Sequence, residues 1–241
     1  SSQPQKSMTT MRSIWRISSQ NESSISENMW NILSNMRILT SFPWFEIFIS
    51  EKNDGDFRKR EIFPEIKRPL KQVHGTEIHT ITGENKDVWF EGCDGTYTHE
   101  KWITIGALCA DCPVIILMGQ GECTAVHSGW RGTKSHIVRY AIEGFSTPHE
   151  CIRAYIWPHI SGDSYEVQED FLEHFAEKYF IHKEGKIYCD LASVIVDDMI
   201  TSWIPSSNIT VSDIDTFSDL EYQSYRRDRN TGIGLVGVKM I

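Results

Sequence analysis

Residues 109–133, CADCPVIILMGQGECTAVHSGWRGT, decide the fold of this 241-residue chain. Two runs rich in β-formers flank the GQGE stretch at 119–122, and this pattern predicts a hairpin. With that turn, Met118 pairs with Cys123, and Val114 lies opposite His127. Beyond Gly132 the apolar residues return at helical spacing, which predicts a helix that packs on the sheet.

The hairpin register brings Cys112 and His127 to one face of the sheet, because residues two apart in a strand point the same way. Pro113 cannot donate a ladder hydrogen bond, so the strand is expected to begin there, with Cys112 at its mouth. The two backbones would then lie roughly 7–8 Å apart, as diagonal neighbours. That separation suits a shared metal ion or a direct contact between Cys112 and His127.

His74 is a candidate third ligand, since two histidines and a cysteine form a nitrogen and sulfur set that suits zinc. Three protein ligands leave a fourth position for water or substrate. The alternatives are a buried structural Cys112 and hydrogen-bonded structural histidines. Cys109 and Cys112 also form a CxxC pair, but a strand follows it, whereas a redox CxxC is expected to open a helix.

The rest of the chain predicts a single-domain α/β (α+β) fold with mixed β-sheets covered by helices. Apolar alternation or apolar runs predict strands at 45–50, around His74, and at 102–110, 151–157, 186–191, 208–212 and 234–240. Helical spacing predicts helices at 28–39, at 166–180 and after the KIYCDL strand. Residues 51–70 are expected to form a long loop, and residues 1–27 a flexible tail before a domain at 28–241.

Composition narrows the classes of function and partner. The formal net charge is −9, so binding to the nucleic-acid backbone is disfavoured. Six cysteines are too few for a disulfide scaffold at this length. No signal peptide and no apolar run of about 18 residues is visible, so no membrane association and a cytoplasmic location are expected.

Four charged residues are candidates for binding substrate or phosphate. Arg131 lies in the glycine-rich SGWRGT before a helix, and Arg226 lies in SYRRDRNTG; guanidinium groups suit bidentate binding of phosphate. Asp94 and Asp111 could orient ligands or accept protons. The alternatives are a tight turn, a solvated charge run and ordinary turn residues.

Five short motifs occur in an order that resembles a known family: QVHG at 72–75, ADCPV at 110–114, HSGWRGT at 127–133, YEV at 165–167 and SYRRD at 224–228. The chain is similar to the YfiH-like family, also called multicopper polyphenol oxidase or laccase-domain proteins. The likeness runs from about residue 70 to the end of the chain. It implies one domain layered α/β/β/α.

The resemblance also implies an activity and a site. By motif match, the zinc ligands and catalytic residues are His74, Cys112 and His127. The implied chemistry is phosphorolysis of adenosine, inosine or methylthioadenosine, together with deamination of adenosine. The expected partners are a small nucleoside and phosphate, and a monomer or small homo-oligomer is expected.

The chain departs from the family pattern around the substrate rather than at the ligands. IFISEKNDGD at 47–56, with Lys52 as its nearest basic residue, replaces the usual arginine and Gly-Gly-x-Ser stretch. Trp157 precedes Pro158 where the family has glycine. Asp215 replaces a cysteine, and Ile233 replaces the arginine of a TGR.

Three alternative functions remain. True multicopper oxidation is disfavoured, because the chain has nine histidines and no His-x-His pair, which leaves copper only as an adventitious occupant of the zinc site. A cysteine hydrolase would use Cys112 as nucleophile with His127 or His74 as base, possible substrates being peptidoglycan precursors. A non-catalytic binding protein with a degenerate substrate shell is the third.

Overall fold

The computed structural model describes residues 37–42, 44–59 and 65–241. The β-strands in these residues are β1 Arg37–Phe42, β2 Phe45–Ile49, β3 Ile66–Lys67, β4 Ile78–Thr80, β5 Gly95–Thr98, β6 Thr104–Cys109, β7 Val114–Gly119, β8 Glu122–His127, β9 Arg153–Ile156, β10 Glu166–Val167, β11 Phe180–Lys183, β12 Lys186–Cys189, β13 Ile209–Val211 and β14 Gly234–Met240. The α-helices are α1 Trp130–Lys134, α2 Ile137–Glu143 and α3 Leu191–Thr201. Short 3₁₀ turns lie at Lys52–Asp54, His149–Cys151, Glu169–His174, Glu177–Tyr179 and Ser206–Asn208.

The described strands form three sheets, of which the two larger ones mix parallel and antiparallel pairs. A six-stranded sheet has the order β13-β9-β7-β8-β5-β4, and a five-stranded sheet has the order β1-β2-β14-β6-β3. A smaller sheet has the order β10-β12-β11. The fold is therefore mixed α/β and dominated by strands. The fold class agrees with the α/β (α+β) class predicted from the sequence.

The main core lies between the five-stranded and six-stranded sheets. Alternate residues of each sheet point into it, as expected for strands with one buried face. Its members come from both sheets and are buried: Ile47, Ile105, Val236 and Val238 from one, and Val114, Ile116, Cys123 and Ala125 from the other. This sandwich holds β7 and β8 rigidly, and the candidate ligands lie at its rim.

A second core lies between the outer face of the six-stranded sheet and helices α2 and α3. Ile115, Leu117 and Val126 of the sheet pack there against apolar helix residues that include Ile137 and Ile195. The apolar spacing after Gly132 therefore correctly predicted a helix that packs on the sheet.

The outer face of the five-stranded sheet is covered differently. Phe48, Leu108, Leu235 and Ile66 of the sheet pack there against Phe57, which belongs to the segment after β2. Within the described residues this cover is loop rather than α-helix. Of the expected α/β/β/α order, the described residues contain the helix layer and the two sheets, but no second helix layer.

The hairpin prediction is confirmed in register: Val114 pairs with His127, Met118 with Cys123, and Gly119 with Glu122. The predicted strands at 45–50, 102–110 and 151–157 are confirmed as β2, β6 and β9. Two other predictions are wrong: residues 166–180 form β10 and 3₁₀ turns instead of a helix, and residues 37–39 of the predicted 28–39 helix belong to β1. The stretch around His74 enters a strand, β4 at Ile78–Thr80, as predicted, and His74 itself lies in a bend before that strand.

The physical reason for the failed helix is tertiary packing. Phe171, Leu172 and Phe175 have helical spacing, but they pack around Val167 and Phe180, at the edge of the small sheet. That arrangement buries the same apolar side chains without a helix, so tertiary contacts override the local pattern. The remainder of the 28–39 prediction and the 1–27 tail lie outside the described residues.

None of the helices in the described residues combines the length and the apolar composition needed to cross a lipid bilayer.

A side-chain hydrogen bond joins the two sheets directly across the core. The buried hydroxyl of Thr96 in β5 donates to the carbonyl oxygen of Gly106 in β6, at 3.0 Å. We expect Thr96→Val to lower the free energy of unfolding by about 1 kcal/mol, because it removes one buried hydrogen bond and leaves a carbonyl without that donor. Urea unfolding measures the change. Thr210→Val, on the exposed side of β13, is the matched control and should change the free energy by less; equal effects would contradict the assigned role of Thr96.

Candidate metal centre

Three side chains from distant parts of the chain meet at the rim of the sandwich. The potential ligand atoms of His74, Cys112 and His127 all lie within 4.8 Å of one another. The two imidazole rings meet edge to face, with their centroids 4.8 Å apart. His127 is buried, Cys112 is partly buried and His74 is exposed, so the cluster opens to solvent on the His74 side.

The hairpin supplies two members of the cluster. His127 is the last residue of β8 and pairs with Val114. Cys112 precedes Val114 by two positions and therefore points to the same face of the sheet. The sequence-based placement of Cys112 beside His127 thus agrees with the register. His74 comes instead from the QVHG segment, where its φ of 60° lies in the left-handed region. A non-glycine residue adopts that conformation only when its surroundings hold it there.

The surroundings of His74 are supplied by the carboxylate of Asp94, whose side chain is fully buried. The backbone N–H groups of Val73, His74 and Gly75 donate to its two oxygens at 3.1, 2.8 and 2.8 Å. Nδ1 of His127 lies 3.0 Å from Oδ1 of the same carboxylate. One buried anion therefore holds both the loop of one ligand and the ring of another.

These hydrogen bonds determine the charge of Asp94. Burial alone would raise the pKa of its carboxyl group, but the hydrogen bonds from His127 and from the amides of Gly75 and His74 outweigh burial and lower it. An ionised Asp94 accepts the proton on Nδ1 of His127. Nε2 of His127 is then left to face the cluster, as in the carboxylate–histidine pairs that orient metal ligands.

The histidines favour the thiolate of Cys112. Burial acts to raise the pKa of this thiol, yet hydrogen bonds with His127 and His74 lower it to about 6. Burial likewise acts to lower the pKa of His127, but Asp94 and Cys112 raise it to about 9. A thiolate at neutral pH is both a metal ligand and a nucleophile.

Gly129 leaves room at the centre of the cluster. A Cβ atom there would lie 2.7 Å from Cδ2 of His74, 3.2 Å from Sγ of Cys112 and 3.4 Å from Cε1 of His127. Gly129 also caps the N-terminus of α1. Its missing side chain lets the chain turn from β8 into α1 beside all three ligands.

The donor set and the spacing fit one tetrahedral metal ion. Zinc bonds of about 2.0–2.3 Å place neighbouring ligand atoms roughly 3.3–3.8 Å apart, so a small contraction of the present spacing closes the shell. A fourth position faces the opening beside the exposed His74. These three residues form the only group of three or more potential ligands among the described residues.

A cleft of about 250 Å³ lies in front of the cluster. Its walls include His74, Cys112 and three aromatic side chains: Trp130, Tyr165 and Tyr225. Arg131, Arg226 and Asp111 line it as well. Asp94 does not line the cleft, since it lies behind the ligands.

The two arginines of the cleft differ in how they are held. The guanidinium of Arg226 donates through Nη1 to the carbonyl of Glu166 at 2.7 Å and lies over the ring of Tyr165. That of Arg131 stacks 4.2 Å from the ring of Trp130 and has no carboxylate partner among the described residues. Arg131 therefore keeps more of its N–H groups for an anion.

Asp111 joins two loops at the edge of the cleft. Its carboxylate accepts a hydrogen bond from the hydroxyl of Thr216 at 2.8 Å and another from the backbone N–H of Arg226 at 2.6 Å. The ADCP loop is thereby fastened to the SYRRD loop. The side chain of Arg226 is positioned over the cleft as a result.

The departures from the family pattern occupy structural positions. Nζ of Lys52 pairs with Asp228 of the SYRRD loop at 3.0 Å. Asp215 accepts from Ser161 and Ser164, and Trp157 is buried in the main core. Ile233 packs on the outer core of the five-stranded sheet.

Sequence reasoning missed two features of the cleft. In the sequence Gly129 is only part of a glycine-rich turn, because no local pattern shows that a Cβ there would approach His74, Cys112 and His127. Tyr225 stands next to the arginines of SYRRD, and no local pattern marks it as a wall of the cleft. The YEV motif did contain Tyr165, although its role as a wall follows only from the fold.

Comparison with known proteins agrees with the motifs. Residues 52–240 match the model of a family described as multi-copper polyphenol oxidoreductase laccase. A purine nucleoside phosphorylase from Aquifex aeolicus (strain VF5) is 34% identical over 174 residues, which make up 72% of this chain and 82% of that protein. Adenosine deaminase RL5, from an unknown prokaryotic organism, is 28% identical over 183 residues, with 68% and 69% of the two chains covered.

Solved structures share the fold. The hypothetical protein YfiH of Bacillus licheniformis superposes with a TM-score of 0.72 at 20% identity, over 86% of this chain and 100% of that one. Protein NMB0706 of Neisseria meningitidis gives a TM-score of 0.76 at 18% identity, over 86% and 99%. The family match, covering most of the chain, and the shared fold lead to one conclusion: the chain belongs to the multi-copper polyphenol oxidoreductase laccase family, which includes the YfiH-like proteins.

Proposed function

We propose that the chain is a zinc-dependent enzyme acting on purine nucleosides. The reactions are phosphorolysis of adenosine, inosine or methylthioadenosine and deamination of adenosine. The observation that carries the proposal is the convergence of His74, Cys112 and His127 at the floor of a cleft. The relatives named purine nucleoside phosphorylase and adenosine deaminase support the choice of substrate.

The cluster supports single-ion chemistry rather than multicopper oxidation. The chain has nine histidines, and within the described part only His74 and His127 belong to a group of ligating residues. A mixed thiolate and imidazole set suits zinc. Copper in this position would be an adventitious occupant.

The residues of the chain divide the work around the ion. Zinc held by the three ligands would supply a Lewis acid next to the substrate. Asp94 keeps Nε2 of His127 directed at the cluster and holds the His74 loop in place. Because Asp94 is fully buried, its role is to position the ligands.

The cleft offers separate surfaces for a base and for an anion. The rings of Trp130, Tyr165 and Tyr225 provide flat apolar walls against which a purine can pack. The guanidinium of Arg131 is our candidate for phosphate, with Arg226 as a second, more restrained donor. The cleft is small, close to the lower end of the about 300–1,000 Å³ found for small-molecule sites, which suits a nucleoside better than a polymer.

The lowered pKa of Cys112 favours a second candidate function. A thiolate beside His127 and His74 could act as the nucleophile of a cysteine hydrolase, with peptidoglycan precursors as one substrate class. Both functions use the same three residues. They differ in whether a metal ion is required.

The deciding experiment combines metal analysis with product analysis. We expect about one zinc per chain in the purified protein. Adenosine and inosine incubated with phosphate should yield adenine and hypoxanthine, and adenosine should yield inosine with or without phosphate. Chelation should abolish these products, and added zinc should restore them.

Other outcomes separate the alternatives. Hydrolase activity that survives chelation would support the thiol nucleophile instead. Zinc binding with no nucleoside turnover would indicate a degenerate substrate shell. If Arg131→Ala leaves the dependence of the rate on phosphate concentration unchanged, Arg131 is excluded as the phosphate site.

Gly129 gives a steric test of the cluster. We expect Gly129→Ala to lower zinc occupancy to a small fraction of one ion per chain, because the new Cβ would press on the ring of His74 and on the sulfur of Cys112. Metal analysis after dialysis measures the occupancy. Gly144→Ala is the matched control, since a Cβ there meets only ordinary contacts at 3.5 Å and beyond. Full zinc occupancy in Gly129→Ala would contradict the placement of the ion.

Asp94 gives an electrostatic test. Asp94→Asn keeps the size of the side chain but removes the charge that accepts four hydrogen bonds, so the orientation of His127 and His74 is loosened. Loss of such a partner weakens metal binding by about 10–100-fold. Competition with a chromogenic zinc chelator measures the affinity. The exposed Asp213 offers the control Asp213→Asn. If Asp94→Asn binds zinc as tightly as Asp213→Asn does, the carboxylate of Asp94 does not orient the ligands.

A further inference from the structure

A second and larger cleft, of about 570 Å³, lies on the other side of α1 from the metal cleft. Trp130 and Arg131 at the start of α1 line the metal cleft, whereas Thr133 and Lys134 at its end line the second one. Residues of α2, of α3 and of the segment around the 3₁₀ turns complete its walls. None of the residues in the proposed zinc site belongs to it.

The second cleft is cationic although the chain is acidic. Its permanent cations are Lys134, Arg139 and Lys178, and its carboxylates are Asp197 and Asp198. Three positive charges against two negative ones leave a net charge of +1 with its histidines neutral, in a chain whose net charge is −9. A local excess of positive charge in a concave surface attracts anions.

Asp198 organises one wall of this cleft. Its carboxylate is buried and receives Nε and Nη2 of Arg139 at 2.9 and 2.7 Å. Nδ1 of His136 lies 2.9 Å from its other oxygen, and His136 has a left-handed φ of 59°. The side chains of Arg139 and His136 remain about half exposed, at 41% and 50%. Asp198 thus fixes their orientation while the outer N–H groups of Arg139 stay accessible.

Lys134 occupies the opposite wall without a carboxylate partner in the described part of the chain. Its Nζ lies 3.0 Å from Nδ1 of His174, a contact in which the ammonium donates. The other ring nitrogen of His174 is then a donor. Lys178, in contrast, is already paired with Asp197 at 2.6 Å. The uncompensated charge of the cleft is therefore that of Lys134.

Part of the cleft is apolar. Phe175, Tyr179, Val194 and Ile200 line it beside the charged groups. Its volume falls within the range of small-molecule sites, about 300–1,000 Å³. An inorganic ion alone would leave this apolar part uncovered.

We propose that the second cleft binds a small molecule that carries a phosphate group together with an apolar or aromatic part. The phosphate contacts Lys134 and Arg139, whose N–H groups donate to its oxygens. The apolar part packs against Tyr179 and Ile200. The ring of His174 stacks on Trp130 of the metal cleft, 4.8 Å away and 6° from parallel, so the bound molecule would lie next to a wall shared by both clefts.

Calorimetric titration with phenyl phosphate tests the proposal, since this probe has both an anionic and an aromatic part. We expect saturable binding, tighter than that of inorganic phosphate. Lys134→Ala should weaken it about tenfold or more, because a charge-assisted hydrogen bond is lost. Lys134→Arg should restore affinity to within about threefold, since the charge is kept.

Two further variants locate the binding. Lys239→Ala, on β14, removes a lysine that does not line the cleft and should leave the affinity unchanged. Arg131→Ala removes a cation of the metal cleft and should leave unchanged the binding that depends on Lys134. Loss of binding in Arg131→Ala with full binding in Lys134→Ala would place the probe in the metal cleft and overturn the proposal. The absence of saturable binding would also overturn it. Thermal unfolding of each variant checks that the exposed substitutions leave the fold intact.

Discussion

The buried carboxylate of Asp94 is the constraint on which the cluster of His74, Cys112 and His127 depends. A buried charge costs free energy unless hydrogen bonds satisfy it. The buried carboxylate of Asp94 accepts hydrogen bonds from three backbone amides and one imidazole. Satisfying it requires the QVHG loop to approach the end of β8. The same contacts bring His74 to His127, so the electrostatics of one aspartate and the geometry of the ligand cluster cannot be separated.

The sandwich supplies the rigidity that the cluster needs. Along the inner face of the hairpin, Val114 and Ala125 are fully buried between the sheets, and the next positions towards the rim carry Cys112 and His127. The alternation that builds the core thus also points the ligands. Asp111 fastens the loop that carries Arg226 to this rim, so both sides of the cleft are attached to the same framework.

Helix α1 divides the chemistry of the molecule. Its first residues, Trp130 and Arg131, face the metal cleft, and its last, Lys134, faces the cationic cleft. The stacked rings of Trp130 and His174 form the contact between the two sides. A short helix directly after His127 therefore places two clefts within reach of one aromatic pair.

The sequence by itself determined the hairpin, its register and the placement of Cys112 beside His127, because turn chemistry and strand alternation act between near neighbours. Its motifs also indicated the family and named His74. Only the tertiary structure decided the left-handed backbone of His74, the steric role of Gly129 and the loss of the helix expected at 166–180. Each of these depends on contacts between segments far apart in the chain, and local propensity carries no information about partners that only folding brings together.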